Sequence, residues 1–126
     1  CAAALATIAL LKDHLVANAA DVGAHFKAGL TALMERHPLI GDVRGRGLMI
    51  GVELVRDRTT KERASAERDA VVTAAFRRGL LVLGAGKNTI RFSPPLVLTR
   101  DQADSAVGIL DASLTEVESG GSNPRR

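Results

Sequence analysis

One cation lies inside a short apolar segment that two consecutive prolines bring to an end, in the order Ile90-Arg91-Phe92-Ser93-Pro94-Pro95-Leu96. Arg91 is the best candidate for chemistry in this chain. Because prolines lack a backbone N–H and hold φ near about −65°, Pro94 and Pro95 predict a stiff exit from the strand. A guanidinium on such a frame presents a planar fork of donors that matches a carboxylate with two hydrogen bonds. The residues alone leave two interpretations open: an anion-binding arginine, or an edge-strand arginine whose side chain extends into water.

Two further segments have the composition of a ligand site but the wrong spacing. Residues 84–88 contain glycines and a lysine, yet a phosphate-binding loop needs a glycine where Leu81 stands and Ser or Thr directly after Lys87. We therefore interpret them as a hairpin turn. His14 and His25 share a helical face but are about 16 Å apart along its axis, which is too far for one metal ion. We predict no metal ligands.

Nucleophilic catalysis has no support, because the chain has no Gly-x-Ser-x-Gly motif and Cys1 is terminal, with no evident base beside it. We predict no catalytic residue. As the single cysteine, Cys1 cannot form an intramolecular disulfide, which favours a cytoplasmic location.

The length of 126 residues and the hydrophobic content of 46% are typical of one domain with a buried core. No apolar run reaches the roughly 20 residues that cross a bilayer, and no basic segment with a cleavage site begins the chain, so we expect neither a membrane partner nor export. The net charge of +3 raises the question of nucleic acid. Basic and acidic residues are interleaved, however, and an aromatic content of 2% without Trp or Tyr offers little for base stacking, so we expect no nucleic-acid partner.

Apolar spacing predicts two N-terminal helices. The first covers residues 2–11, and Asp13 would cap a second that ends near His37, because Pro38 disfavours helical geometry in the residue before it. The inward positions of the second helix are Leu15, Ala19, Val22, Phe26, Leu30 and Leu33.

Period-two alternation predicts a strand over residues 48–55 with one buried face, formed by Leu48, Ile50, Val52 and Leu54. We interpret residues 41–47 as a glycine-interrupted approach to this strand. A helix over residues 62–78 should end at Gly79 and bury Ala70, Val71, Ala74 and Ala75.

Residues 80–83 and 89–92 are predicted to form an antiparallel hairpin that carries Arg91. Thr99 and Gln102 have the spacing of a capping box, which predicts the start of a last helix. Its inward residues are Ala103, Val107, Leu110, Leu114 and Val117.

This element order predicts an α+β fold, a small antiparallel sheet with helices packed on one face, preceded by N-terminal helices. We expect three parts: an N-terminal helical segment, 1–36, that links to a missing large domain; a small α+β domain, 37–118; and a disordered tail, 119–126.

Four segments, taken in order, resemble the C-terminal domain of class-III aminotransferases. They are residues 1–8, 37–54, 79–81 and 90–96. The Val-Arg-Gly-x-Gly-Leu-Met pattern and the later Arg-x-x-Pro-Pro-Leu pattern are specific in tandem, and the resemblance extends from residue 1 to about residue 117. The 4-aminobutyrate and acetylornithine aminotransferase branches are the most similar.

The resemblance implies a pyridoxal-phosphate enzyme of fold type I, in which a large domain carries the cofactor and a small C-terminal domain closes over the substrate. It implies that Arg91 faces the active site and pairs with a substrate carboxylate, or with a glutamate that competes for it. It also implies amino-acid and 2-oxo-acid substrates and a homodimeric enzyme.

The family's Schiff-base lysine, and the carboxylate that pairs with the cofactor's pyridine nitrogen, belong upstream of residue 1. None of Lys12, Lys27, Lys61 and Lys87 matches the family's lysine segment. We therefore predict no cofactor-binding residue, and we expect that this chain alone neither binds pyridoxal phosphate covalently nor transaminates. Two alternatives stay open: an amino-acid racemase or epimerase on the same scaffold, and a free-standing domain that docks on a partner through its N-terminal helix.

Overall fold

The computed structural model describes residues 1–120. The first feature is an unbroken helix of 34 residues, Ala2–Glu35. It consists of α1 (Ala2–Leu10), a π-helical turn (Leu11–Leu15), α2 (Val16–Ala32) and a final 3₁₀ turn (Leu33–Glu35). Of the predicted disordered tail, residues 119–126, all but the first two residues lie outside the described part of the chain.

The predicted break at Asp13 is wrong. Leu10 and Val16, on either side of the π-helical turn, both have right-handed helical dihedral angles. An N-cap residue needs a non-helical backbone and free N–H groups ahead of it, and a continuous helix offers neither. The Asp13 carboxylate instead contacts the ring of His14, with Nδ1 and Oδ2 2.9 Å apart.

By length and composition, this helix could cross a membrane. Its most apolar 18-residue window has a mean hydropathy of 1.2, and none of that window is buried, so the expectation that no such segment exists does not hold on this measure. Farther along the same helix, Val22, Phe26 and Leu30 are buried in the protein core. Since helices of soluble proteins pass the same test, it is weak evidence for a membrane span.

Within residues 1–120 five strands follow, and every pairing between them is antiparallel. They are β1 (Ile40–Arg46), β2 (Met49–Asp57), β3 (Glu62–Arg63), β4 (Leu83–Ala85) and β5 (Thr89–Phe92). The main sheet has the order β1-β2-β5-β4, and β3 pairs with β2.

Strand β1 corrects the prediction that residues 41–47 are only an approach to the sheet. It pairs with β2 along nearly its whole length. A Cβ on Gly41 would lie 2.7 Å from a methyl carbon of Val55, and one on Gly45 would lie 2.2 Å from the carbonyl oxygen of Met49. These glycines therefore allow the two strands to pack closely.

Helices α3 (Ser65–Arg77) and α4 (Arg100–Glu118) complete the fold. The predicted start of α3 at residue 62 is wrong, because Glu62 and Arg63 pair with β2 instead. Ala70 is exposed, whereas the other predicted inward residues of α3 are buried. Gly79 ends the helix with φ of 87°, as predicted. The capping box of Thr99 and Gln102 is confirmed by both of its hydrogen bonds.

The core lies between one face of the sheet and the helices. All four predicted inward residues of residues 48–55 are buried, and β5 adds Ile90 and Phe92 on the same face. The rings of Phe26 and Phe92 meet edge to face, with centroids 5.3 Å apart and an interplanar angle of 82°. These contacts confirm the predicted α+β arrangement, with the helices packed on one face of the sheet.

Candidate functional site

Arg91 lies on the face of the sheet opposite this core. Strand register places Arg44, Gly51, Arg91 and Leu83 side by side across four adjacent strands. Adjacent strands are about 4.8 Å apart, so the two arginine Cα atoms are separated by roughly 10 Å. Gly51 between them has no side chain, and a Cβ built there would lie 3.2 Å from the methyl carbon of Thr89.

The hairpin of β4 and β5 differs from its prediction in two ways. The first strand is Leu83–Ala85 and not residues 80–83, because Leu83 pairs with Arg91 and Ala85 pairs with Thr89. Residues 80–82 therefore precede the sheet, and the turn is limited to residues 86–88. Strand β5 lies between β2 and β4, so Arg91 is not an edge-strand residue. An interior strand is held on both sides, and the backbone that carries Arg91 is correspondingly rigid.

The long N-terminal helix anchors the segment that follows the two prolines. The amide nitrogen of Asn18 donates to the carbonyl oxygens of Leu96 and Leu98, at 2.6 and 3.1 Å. The N–H of Leu98 donates to the carbonyl of Pro95 at 3.0 Å, which closes a turn. Sequence reasoning predicted the stiff exit but not Asn18, because its partners are 78 and 80 residues away.

Arg91 borders an open groove with a volume of about 410 Å³. Apolar side chains form most of its lining: Phe26, Leu80, Leu83, Pro94, Pro95 and Leu98. Gln102 also lines the groove, but its side-chain oxygen accepts from the Thr99 N–H. A groove with apolar walls and one cation at its edge can hold a molecule that has both a hydrocarbon part and an anionic group.

The charge of Arg91 is free in the described part of the chain. The side chain is exposed, and no ion pair or hydrogen bond joins it to residues 1–120. The resemblance implies a glutamate that competes with the substrate carboxylate for Arg91, but no glutamate within residues 1–120 contacts this side chain. An unpaired guanidinium remains available to a carboxylate from outside the described residues.

Arg44, in contrast, pairs with two carboxylates of its own sheet. Its Nη1 donates to Asp42 Oδ2 at 2.8 Å and to Glu53 Oε2 at 2.7 Å. These two hydrogen bonds, that of Asp42 first, raise the pKa of Arg44 above its usual value. The hydrogen bond from Arg44 is also the main cause that lowers the pKa of Glu53, and a weaker bond from Asn88 adds to it. Sequence reasoning missed this cluster, although alternation along the strand places Glu53 on the face away from the core.

None of the four lysines is placed to hold pyridoxal phosphate. Lys12, Lys61 and Lys87 are exposed, and Lys27 Nζ donates to the carbonyl of Gly45 at 3.3 Å. A Schiff-base lysine must face a pocket that also binds the phosphate. The groove beside Arg91 has no lysine in its lining that could hold the cofactor. Residues 1–120 also contain no group of three His, Cys, Asp or Glu side chains that could hold a metal ion.

Comparison with known proteins identifies the family. The family model "Aminotransferase class-III" matches residues 1–114. The chain belongs to the class-III aminotransferase family. It is 42% identical to isoleucine 2-epimerase from Lentilactobacillus buchneri over 120 residues, which are 94% of this chain and 27% of that protein. It is 45% identical to alanine–glyoxylate aminotransferase 2 homolog 2, mitochondrial, from Arabidopsis thaliana, over 84% of this chain and 23% of that protein.

Solved structures of class-III relatives have the same fold. An amine transaminase from an uncultivated Pseudomonas species, in its PLP-bound form, aligns with a TM-score of 0.86 at 41% identity, covering 93% of this chain and 27% of that one. An aminotransferase from Bacillus anthracis aligns with a TM-score of 0.85 at 30% identity, covering 90% of this chain and 27% of that one. This chain therefore spans about a quarter of the length of the class-III proteins it matches.

Proposed function

We propose that this chain is the substrate-closing C-terminal domain of a pyridoxal-phosphate-dependent aminotransferase. The longer enzyme would transfer an amino group from an amino acid, with an ω-amino acid such as 4-aminobutyrate as donor, to a 2-oxo acid. The observation that carries this proposal is the exposed guanidinium of Arg91, which has no ion-pair partner within residues 1–120, at the edge of an apolar groove. The cofactor would be bound by the remaining three quarters of the longer enzyme, where it supplies the electron sink for the reaction.

In this proposal Arg91 binds and orients the carboxylate of the substrate. Strands β2 and β4 pair with β5 on both sides, and Asn18 binds the segment after the prolines. The backbone position from which the Arg91 side chain extends is therefore fixed. The apolar walls would exclude water from the hydrocarbon part of the substrate. Arg44 is less available to a substrate than Arg91, because its Nη1 already donates to two carboxylates.

The test uses the longer enzyme with Arg91→Lys. Because the ammonium group of lysine cannot form the bidentate hydrogen bonds of a guanidinium, KM for carboxylate substrates should rise. The fall in kcat/KM should correspond to a loss of about 1 kcal/mol or more in transition-state stabilisation. Arg63→Lys is the matched control, because Arg63 lies on the short strand β3, is exposed and is not a groove residue. Unchanged kinetics for Arg91→Lys would show that the side chain only extends into water.

Amino-acid racemisation or epimerisation is a second candidate function. Isoleucine 2-epimerase and the leucine/methionine racemase of Thermococcus litoralis are 42% and 41% identical to this chain, as close as the aminotransferases. Incubating the longer enzyme with a single amino-acid enantiomer separates the two. Inversion without any 2-oxo acid would establish a racemase, whereas amino transfer that requires a 2-oxo acid supports the proposal.

The chain alone is proposed to be inactive, since it has no suitably placed lysine. Mixing it with pyridoxal phosphate should give no site-specific absorbance of a lysine adduct and no amino transfer, and the appearance of either would contradict this. A homodimeric enzyme and a cytoplasmic location are proposed from the family resemblance and the single cysteine. Sedimentation of the chain addresses the remaining alternative, a free-standing interaction domain, which should stay monomeric.

A further inference from the structure

A buried histidine lies between two carboxylates where helix α4 meets the start of the sheet. His37 Nδ1 is 2.6 Å from Glu118 Oε2, and His37 Nε2 is 2.6 Å from Asp111 Oδ1. The side chain of His37 is 5% exposed, and those of Asp111 and Glu118 are 27% and 25% exposed. The two carboxylates are seven residues apart on α4, so they lie on the same face of that helix.

The remaining carboxylate oxygens also have donors. Asp111 Oδ2 is 3.0 Å from Arg36 Nη1, and Glu118 Oε1 accepts from the Leu39 N–H at 3.1 Å. Each of the four oxygens thus faces a nitrogen that can donate, an arrangement that favours ionised carboxylates. An ionised carboxylate cannot donate, so the two 2.6 Å contacts are both hydrogen bonds only when each ring nitrogen of His37 carries a proton.

We propose that His37 is a pH-sensitive latch that holds α4 against the junction between the long helix and β1. With the ring protonated, one side chain binds two points of α4 that are two helical turns apart. Loss of one ring proton would leave a nitrogen lone pair facing a carboxylate oxygen at 2.6 Å in a buried site. That contact is repulsive, so deprotonation releases one of the two points of attachment.

Other charged groups near the ring do not replace the lost proton. Within residues 1–120 the Arg36 guanidinium pairs with Asp111 and not with the ring, and its side chain is 63% exposed. Arg58, which follows β2, donates from Nη2 to the carbonyl oxygen of His37 at 2.9 Å and does not contact the ring. Deprotonation would thus weaken the docking of α4, the helix that buries Leu110 and Leu114 in the core.

A second histidine provides a matched control. His25 on α2 contacts Asp104 on α4, with Nε2 and Oδ1 2.6 Å apart, so it too attaches α4 through a contact between an imidazole and a carboxylate. Its side chain is 32% exposed, however, and it contacts a single carboxylate. Loss of its proton exposes no buried lone pair to an anion, and His25 should contribute little to the pH response.

The test measures thermal unfolding of the chain and ring protonation over about pH 6 to pH 9. The melting temperature of the wild type and of His25→Gln should fall by several degrees as pH rises, whereas His37→Gln should show little change. Nitrogen NMR of the wild type should show both ring nitrogens of His37 protonated at the acidic end. Loss of one proton should shift the amide signals of residues 111–118.

The same slope in His37→Gln as in the wild type would overturn the proposal. So would a His37 ring that keeps a single N–H throughout the pH range. If His37→Gln does not fold, the spectra of the wild type decide, because they report the ring and the α4 amides without any substitution. These measurements do not involve substrate or cofactor, so their outcome is independent of the proposed function.

Discussion

A Cβ on Gly23 would lie 2.2 Å from the carbonyl oxygen of Gly47. Helix α2 and the turn between β1 and β2 therefore meet backbone to backbone. Gly47 has φ of 56°, a left-handed conformation that favours glycine, so both sides of the contact depend on the missing side chain. This contact sets how close the long helix lies to the sheet.

Gly23→Ala should therefore destabilise the protein by about 1–3 kcal/mol, because the new methyl group meets backbone atoms that cannot rotate away. Urea unfolding of the chain measures the change. Gly108→Ala is the control: this glycine also lies within a helix but has no atom within 4 Å of a built Cβ. It should stabilise by about 0.5–1 kcal/mol through helix propensity. Equal effects of the two substitutions would refute the proposed packing contact.

Gly84→Ala should disturb Arg68, whose guanidinium occupies the space beside strand β4. A Cβ on Gly84 would lie 2.5 Å from Arg68 Nη1, and that same nitrogen donates to the carbonyl oxygen of Thr89 at 3.1 Å. The guanidinium can move aside at the expense of that hydrogen bond, so we expect a loss of about 0.5–1.5 kcal/mol in an otherwise wild-type chain.

A double-mutant cycle identifies the cause. In an Arg68→Ala background the space beside Gly84 is free, so Gly84→Ala should cost much less, with a coupling energy of about 1 kcal/mol. Unfolding free energies of the four proteins supply the measurement. If the unfolding free-energy changes of the two single variants add up to that of the double variant, Gly84→Ala acts through strand propensity and not through Arg68.

Glu53 should make stability sensitive to acid. Its pKa is lowered from 4.5, chiefly by the hydrogen bond from Arg44, so its contribution to stability is present at pH values above 4.5 and is lost as pH falls through the lower folded-state pKa. Arg44→Gln should raise the pKa of Glu53, and the stability difference between variant and wild type should shrink as pH falls. Carboxyl carbon NMR titration of Glu53 checks the first effect and urea unfolding against pH the second.

Arg56→Gln is the control for that titration. Arg56 pairs with Glu67 and Glu62 instead, and its hydrogen bond is the main cause of the lowered pKa of Glu67. This variant should change the titration of Glu67 and leave that of Glu53 unaltered. A shift of Glu53 of similar size in both variants would point to overall charge as the cause.

Arg58→Met should destabilise the junction between the long helix and β1 by about 2 kcal/mol. Its guanidinium donates to the carbonyl oxygens of Met34, His37 and Ile40, at 2.7 to 2.9 Å. Hydrogen exchange of the amides in residues 34–40 should speed up. Arg63→Met, an exposed arginine on β3, should change neither quantity, and a comparable loss in that variant would argue against the capping role of Arg58.

Local patterns in the sequence predicted those features whose causes lie within a few residues. Alternation identified the buried face of β2, because side-chain direction in a strand repeats every two residues. The capping box of Thr99 and Gln102 followed from residues three positions apart. Arg91 and its proline exit were recognised for the same reason, since the composition of residues 90–96 alone indicates a stiff cation-bearing segment.

Tertiary structure decided the features whose partners are distant in the chain. Strand β1 was not predicted because glycines are typical of loops. Its glycines are explained only by the paired strand, where Met49 and Val55 lie in the space that a Cβ would need. The placement of Arg91 on an interior strand depends on the register between β2 and β5, and no local pattern encodes that register. The two carboxylates around His37 come from 74 and 81 residues away, so folding alone could bring them to the ring. Local patterns thus indicated most of the core-facing residues, though not the exposure of Ala70, and the segment that carries the candidate cation. What each side chain contacts depends on elements far away in the chain, which only folding brings together.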